Sequence, residues 1–351
     1  MVNKDLDQRF MTEALTLAKK GWGRTSINPL VGAVVVKDNK IIGRGFHRKI
    51  GEAHAETIAI IEAGSNAEGA TLYVNLEPCS FKGKTPPCVE GIINAKIKRV
   101  VIGMQDPNPL VNGNGIKILI ENNIDVTVDV LKKEAEELNR FYIKYITTKI
   151  PYIIVKIATS QDGRISGFST KYITSELSLR YVHSLRSQVD AVIVGIKTII
   201  MDDPFLTDRF VERHNPARIV IDPHLRIPMT ANFLKDNARR IIITSEKDNV
   251  KKIKSLQDAG VKLIFLSGDY YPIRNIFEAI ASIGIGSVLV EGGGILFSQI
   301  LGRKFYDELY IFVAPKRIET GIDFLAENNI DINQMYGVNI GEDRLYVHRN
   351  R

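Results

Sequence analysis

The sequence predicts an α/β protein built from two domains. Three observations carry this. The chain has 351 residues, which favours two cores of ordinary size. Short Val/Ile-rich runs alternate with helical periodicities in both halves, the pattern of layered α/β architecture. A proline follows a long charged helical stretch near the middle, at Ile150-Pro151, and proline ends helices. The predicted domains are residues 1–149 and 150–351.

In the first half, Leu6, Phe10, Ala14, Leu17 and Ala18 recur at helical spacing, predicting a helix over residues 5–20 that Gly21 and Gly23 end. Leu30–Lys37 and Lys40–His47 are apolar runs joined by Asp38-Asn39, a hairpin signal. A helix is expected from His54 to Glu62, stopped by Gly64. A strand follows at Thr71–Leu76, a loop at Pro78–Pro87, a helix at Cys88–Ala95 and a strand at Arg99–Met104. Turn clusters at Asp106–Pro109 and Asn112–Gly115 precede a helix at Ile116–Asn122 and a strand at Ile124–Val130. One charged, periodic helix then spans Leu131 to about Lys149.

The second half opens with a buried strand at Tyr152–Ala158. A helix at Glu176–Ser187 precedes the strand Ala191–Val194. Strands at Ala217–Ile221, Arg240–Thr244, Val261–Leu266 and Gly286–Val290 follow, with helices between several of them. A helix is expected at Ile295–Leu301, and Asp307–Ala314 and Leu345–His348 are read as late antiparallel strands.

Composition narrows the class. With 44% hydrophobic and 25% charged residues, the chain is ordinary for a globular protein. No run of 18 apolar residues predicts a membrane span, and Met1–Asp5 lacks an apolar signal core. The expectation is a cytoplasmic protein with no membrane partner. The net charge of +7 is spread along the chain without a dense Lys/Arg block. It suits a phosphorylated small molecule as well as a nucleic acid.

The two cysteines, Cys79 and Cys88, are not expected to form a structural disulfide in a cytosolic chain. With His54 they supply three donors that hold zinc and leave a fourth position for water. Glu56 is then left to shuttle protons. His-x-Glu followed by Pro-Cys is the opening of the zinc deaminase signature, although eight residues separate the cysteines here. Positions i and i+2 of a regular helix lie about 200° apart. His54 and Glu56 can therefore share a metal only at an irregular first turn. A purely structural zinc is the alternative, but it leaves Glu56 without a role.

Several stretches resemble the bifunctional deaminase/reductase family of riboflavin biosynthesis. They include Asn28-Pro29-Leu30-Val31-Gly32-Ala33-Val34, Gly51-Glu52-Ala53-His54-Ala55-Glu56 and the whole run Glu77 to Cys88. Asp106 to Gly115, Lys156 to Arg164, Asp202 to Thr207, Val290 to Gly294 and Asp307-Glu308-Leu309 continue the resemblance in order through nearly the whole chain. It implies an N-terminal cytidine-deaminase-like α/β/α domain and a C-terminal dihydrofolate-reductase-like α/β domain. It also implies two reactions: removal of the 2-amino group of 2,5-diamino-6-(5-phosphoribosylamino)pyrimidin-4-one, then NADPH-dependent reduction of the ribosyl group to ribityl.

Residue roles follow from the resemblance. His54, Cys79 and Cys88 would bind Zn2+, Glu56 would act as proton carrier, and Asn28 and Lys84 would contact the deaminase substrate. Ala158, Tyr172, Thr198 and Asp202 would contact NADPH. So would Gly293, Gly294, Ile295, Leu296, Phe297, Ser298 and Gln299, with Thr244 or Ser245 toward the adenosine end. Thr170, Arg186, Leu206, Arg209 and Glu291 would contact the reductase substrate, and Lys156, in the strand entering the site, is placed either to touch the sugar hydroxyls or to pair with Asp162. Arg186 and Arg209 are chemically suited to a phosphate. Glu291-Gly292-Gly293-Gly294 sits at a strand-to-helix turn, where amides can approach phosphate. It lacks the spacing of the Rossmann fingerprint.

The chain departs from the family pattern at Phe81 (usually His), Gln161 (usually Leu) and Tyr172 (usually Trp). A phosphorylated pyrimidine substrate and a homo-oligomer are expected, with no nucleic-acid partner. The competing reading is a nucleic-acid base deaminase with an appended binding module. It needs an aromatic and basic groove, and the chain has one tryptophan, Trp22.

Overall fold

The computed structural model describes residues 4–81, 86–165, 172–208, 210, 215–268 and 271–350. The chain divides between Lys149 and Ile150 into two compact units.

In the first unit, helix α1 (Lys4–Ala18) precedes the hairpin β1 (Gly32–Lys37) and β2 (Lys40–Phe46). Helix α2 (Ala55–Ala63), strand β3 (Thr71–Leu76), helix α3 (Cys88–Asn94) and strand β4 (Arg99–Met104) follow. Helix α4 (Asn114–Glu121), strand β5 (Asp125–Thr127) and helices α5 (Lys132–Leu138) and α6 (Arg140–Thr148) complete the unit. The sheet order is β2-β1-β3-β4-β5. β1 is antiparallel to both neighbours, and β3, β4 and β5 run parallel.

Glycines set how closely the helices approach this sheet. A Cβ on Gly32 would lie 2.1 Å from the Ala14 carbonyl oxygen of α1. A Cβ on Gly45 would lie 2.0 Å from the Ala55 carbonyl oxygen of α2, and one on Gly43 2.1 Å from that of Ala59. Gly45 is the cross-strand partner of Ala33. Side chains alternate between faces along a strand and share a face across it. Gly45 and Gly32 therefore lie on opposite faces, and α1 and α2 cover the two sides. Gly45→Ala should cost about 2–3 kcal/mol as overpacking and lift the start of α2. A thermal melt and a zinc stoichiometry measured together check this; an unchanged melt with full zinc would sink it.

Two expectations for this unit change. The strand expected at Ile124–Val130 is ordered as β5 over three residues. The single helix expected from Leu131 to Lys149 is broken at Asn139, which takes φ −97° and ψ 14°. Its side chain is spent on a distant loop: Oδ1 accepts from the Leu30 amide at 2.8 Å, and Nδ2 donates to the Leu30 carbonyl at 3.1 Å. Asn75, fully buried, holds the same segment through the Leu30 carbonyl and the Gly32 amide.

The second unit opens with β6 (Tyr152–Thr159), α7 (Glu176–Arg186), β7 (Ala191–Gly195), α8 (Ile196–Asp202) and β8 (Ala217–Ile221). Then come β9 (Arg240–Thr244), α9 (Val250–Asp258), β10 (Val261–Phe265), α10 (Ile273–Ser282), β11 (Ser287–Gly292) and α11 (Gly294–Gly302). It closes with β12 (Glu308–Val313), α12 (Phe324–Glu327), β13 (Tyr336–Ile340) and β14 (Asp343–Arg349). The order is β10-β9-β8-β7-β11-β6-β12-β14-β13. The run from β10 to β12 is parallel; β14 is antiparallel to both β12 and β13. The late strand expected at Asp307–Ala314 is thus antiparallel on one side and parallel to β6 on the other. β13 carries no Val/Ile run long enough to announce it.

Ligands bind parallel α/β sheets beyond the carboxyl ends of the strands. Here the β7–α8 and β11–α11 junctions meet at those ends. Gly293 takes φ +96°, and a Cβ there would lie 3.3 Å from the Gly195 amide nitrogen. Glycine is required both for the left-handed backbone and for the approach. Among the described residues, no helix is long and apolar enough to cross a membrane.

Candidate functional site

His54 is the N-cap of α2, with an extended ψ of 160°. Glu56 lies in the first turn and is 4% exposed. The geometric condition set by the His-x-Glu spacing is met this way, because the histidine stands just outside the helix. Cys88 opens α3 behind Pro87, and Cys79 stands in the loop after β3.

The three donors converge. His54 Nδ1 is 3.1 Å from Cys88 Sγ and 3.5 Å from Cys79 Sγ, and the Cys88 amide donates to Cys79 Sγ at 3.3 Å. All three donor atoms lie within 4.8 Å of one another. Zinc bonds of about 2.0–2.3 Å in a tetrahedron need neighbouring donors about 3.5 Å apart, so this set fits zinc. A closed structural site usually takes four protein ligands, and three are brought together among the described residues.

The electrostatics agree with a cation site. The hydrogen bond with Cys88 holds the Cys79 thiol well below its ordinary range, and His54 adds to this. The same hydrogen bond and burial push the Cys88 thiol up. Without a cation, only one of two touching thiols can carry charge. Hydrogen bonding to Cys79 raises His54. Burial pushes the Glu56 carboxyl up, against the pull of His54.

Asn28 lies beside this cluster through His47, whose Nε2 is 3.1 Å from Asn28 Nδ2. His47 is 3% exposed, its Nδ1 is 3.4 Å from the Ala53 carbonyl, and its ring meets that of His54 edge-on at 5.6 Å. His47 was not singled out from the sequence. It stands at the end of an apolar hairpin strand, and no spacing distinguishes it. Lys84 lies outside the described residues. Phe81 is 38% exposed.

In the second unit, Arg186 from the end of α7 meets Glu291 from the end of β11. Arg186 Nε and Nη2 donate to the two carboxylate oxygens at 2.5 and 2.6 Å, and Nη1 donates to the Thr207 carbonyl at 3.0 Å. The side chains are 13% and 7% exposed. Three of the five donors of Arg186, expected to contact substrate, are engaged within the protein. Burial drives the Glu291 carboxyl up, but Arg186 and then Lys156 outweigh it and hold it below the usual range. Burial holds the Lys156 ammonium below the usual lysine range. Glu291 falls where the β11–β7 register shifts, between Val290 and Gly292, and such bulges re-aim side chains.

The other expected contacts divide. Gly293 and Gly294 open α11, and Thr198 of α8 packs on Gly292, where a Cβ would meet its Oγ1 at 2.6 Å. Ala158 is half-buried, and Tyr172 and Asp202 are exposed. Ile295 and Ser298 are exposed and Gln299 half-buried, whereas Leu296 and Phe297 belong to the core. A ligand at that turn can reach the last two through their backbone alone. Thr244 is fully buried, and its hydroxyl and that of Ser245 donate to the Pro223 carbonyl at 3.0 and 2.9 Å. Those hydroxyls serve the β8–β9 connection. Leu206 is buried with φ +56°, and Thr170 and Arg209 lie outside the described residues.

Comparison with known proteins places both units. The family described as the cytidine and deoxycytidylate deaminase zinc-binding region matches residues 4–104. The RibD C-terminal domain family matches residues 151–318. The riboflavin biosynthesis protein RibD of Aquifex aeolicus is 41% identical over 349 residues, covering 97% of each chain. That of Escherichia coli is 36% identical over 88% of each. A solved Thermotoga maritima structure is described as a diaminohydroxyphosphoribosylaminopyrimidine deaminase/5-amino-6-(5-phosphoribosylamino)uracil reductase. It is 36% identical with a TM-score of 0.87 over 99% of each chain. Acinetobacter baumannii RibD, 33% identical, gives 0.86 over 99% of this chain and 100% of that one. The chain belongs to the RibD family of riboflavin biosynthesis proteins.

Proposed function

We propose a division of labour between the two sites of a chain that is a bifunctional deaminase and reductase of riboflavin biosynthesis. Its cofactors are Zn2+ and NADPH. The observation that carries the deaminase half is the convergence of His54, Cys79 and Cys88 with Glu56 buried beside them.

His54, Cys79 and Cys88 would hold the zinc, which when bound would supply Lewis acidity that acidifies a water. Glu56 would take a proton from the attacking water as its oxygen bonds to the ring carbon, and give it to the departing 2-amino group, which leaves as ammonia. Its burial keeps solvent protons from competing. Asn28, braced by His47, orients the pyrimidine. Lys84 is assigned to the substrate phosphate, and the net positive charge of the chain is assigned to phosphate rather than to nucleic acid.

In the second unit NADPH, when bound, would supply the hydride for reduction of the ribosyl group. The glycine turn at Gly293-Gly294 and the start of α8 suit the phosphates of the cofactor, since helix starts present unpaired amides. Glu291, fixed by Arg186, and Lys156 orient the sugar hydroxyls.

The test supplies purified protein with the diaminopyrimidine substrate and NADPH, following ammonia and nicotinamide absorbance separately. A chelator should abolish ammonia release and leave reduction of added deaminated intermediate intact. Ammonia release that survives complete metal removal would overturn the assignment.

A further inference from the structure

The Asp106–Gly115 stretch runs from the end of β4 into the start of α4. Its amides surround one side chain, that of Glu77, which is 3% exposed and stands two residues before Cys79. Glu77 Oε2 accepts from the amides of Asp106 at 3.1 Å and Gly113 at 3.0 Å. Oε1 accepts from Gly115 at 2.9 Å and Ile116 at 3.3 Å. Asn112 and Gly113 take φ +31° and +90°, and that bend lets the amides converge. The carboxylate also caps α4, whose first amides have no partner within the helix.

The same segment holds the next residue. A Cβ on Gly115 would lie 2.2 Å from the Pro78 carbonyl oxygen, so Gly115 packs flush against the backbone just before Cys79. The Glu77 amide donates to the Met104 carbonyl at 3.0 Å, tying the start of the loop to β4. His54 and Cys88 are fixed by the helices they cap or open. Cys79 lies in the loop between two holds: the Cys88 and Val89 amides at the start of α3, which donate to its Sγ and its carbonyl at 3.3 Å each, and this clasp on the preceding residues.

We propose that Glu77 is a positioning residue of the metal centre. By gathering the Asp106–Ile116 amides it fixes the backbone at Pro78, and through it the Sγ of Cys79. This rests on the reading that His54, Cys79 and Cys88 bind zinc. Glu77→Gln keeps the size of the side chain but turns an NH2 group toward backbone donors. Gly115→Ala disturbs the same clasp without altering the carboxylate.

The experiment measures zinc affinity of the full chain by competition with a chromophoric chelator, alongside circular dichroism and melting. Asn139→Ala serves as the comparison, because it removes a buried anchor of Leu30 rather than of Pro78. Affinity should fall about 10- to 100-fold in Glu77→Gln and Gly115→Ala, the usual range for groups that orient metal ligands. Asn139→Ala should melt lower and keep wild-type affinity. Wild-type affinity in Gly115→Ala or in folded Glu77→Gln would overturn the proposal. So would an Asn139→Ala affinity that falls in step with its melting point, since affinity would then track stability alone. A wild-type chain that binds no zinc would instead refute the underlying zinc assignment, a result distinct from any of these.

Discussion

Glu56→Gln is expected to lower ammonia release by about 10²–10⁴-fold, the usual worth of a positioned proton carrier. NADPH-dependent reduction of the deaminated intermediate should continue at the wild-type rate. The substitution preserves volume at a site that is 4% exposed, so the fold should survive. Glutamine can hydrogen-bond to water and amine but cannot carry a proton between them. The His54–Cys79–Cys88 donor set is untouched, so zinc content should stay at the wild-type level. Parallel assays of ammonia and absorbance read the two halves independently. Loss of both activities in a variant that melts like the wild type would show that the sites are not independent. Retention of full ammonia release would remove Glu56 from the mechanism.

Arg186→Met should act on the other unit. Removing one partner of a buried ion pair leaves the second charge uncompensated, typically at about 3–5 kcal/mol. Here the remaining partner is Glu291, 7% exposed, with Lys156 as a weaker counter-charge. The reductase should be lost and the second unit destabilised, while zinc binding and ammonia release persist. The pH dependence gives a sharper reading. In the wild type the folded-state pKa of Glu291 is depressed. Its contribution to stability is therefore present above the unfolded carboxylate value and lost as pH falls through the lower folded one. Without Arg186, burial dominates and raises that pKa. The group then contributes stability at low pH that is lost as pH rises through the raised value. Urea midpoints measured from pH 4 to 7 should show this carboxyl's contribution to the slope reverse between wild type and variant. Equal midpoints across that range would sink the idea that the pair is structural.

How much of this was legible differs by residue, for physical reasons. The donor set could be read because cysteine and histidine are scarce, chemically specific types in this chain, with two and six copies, and their order along the chain survives folding. The break at Asn139 could not. The stretch from Leu131 to Lys149 is helical in propensity throughout, and what interrupts it is a pair of hydrogen bonds to Leu30, 109 residues away. Tertiary contacts override local preference in this way. In sequence, Arg186 and Glu291 each read as a ligand contact. That they bind one another follows from the meeting of α7 with β11, which no local pattern encodes. Thr244 shows the converse: a hydroxyl at a strand end looks available in sequence, but the turn at Pro223 takes it. Glu77 shows no role in sequence, because its partners are backbone amides and carry no side-chain signature.

The hairpin glycines have a consequence for tolerance. Gly32, Gly43 and Gly45 let main chain touch main chain on both faces of β1 and β2, so at Gly43 and Gly45 no side chain lies between α2 and β2. Side-chain packing can absorb a tenth of a nanometre by rotation; backbone against backbone cannot. The spacing of His54 and Glu56 from the sheet is therefore machined rather than cushioned. Redesign of this pocket for another amine would have to work through its loops, since the helix seat admits no adjustment.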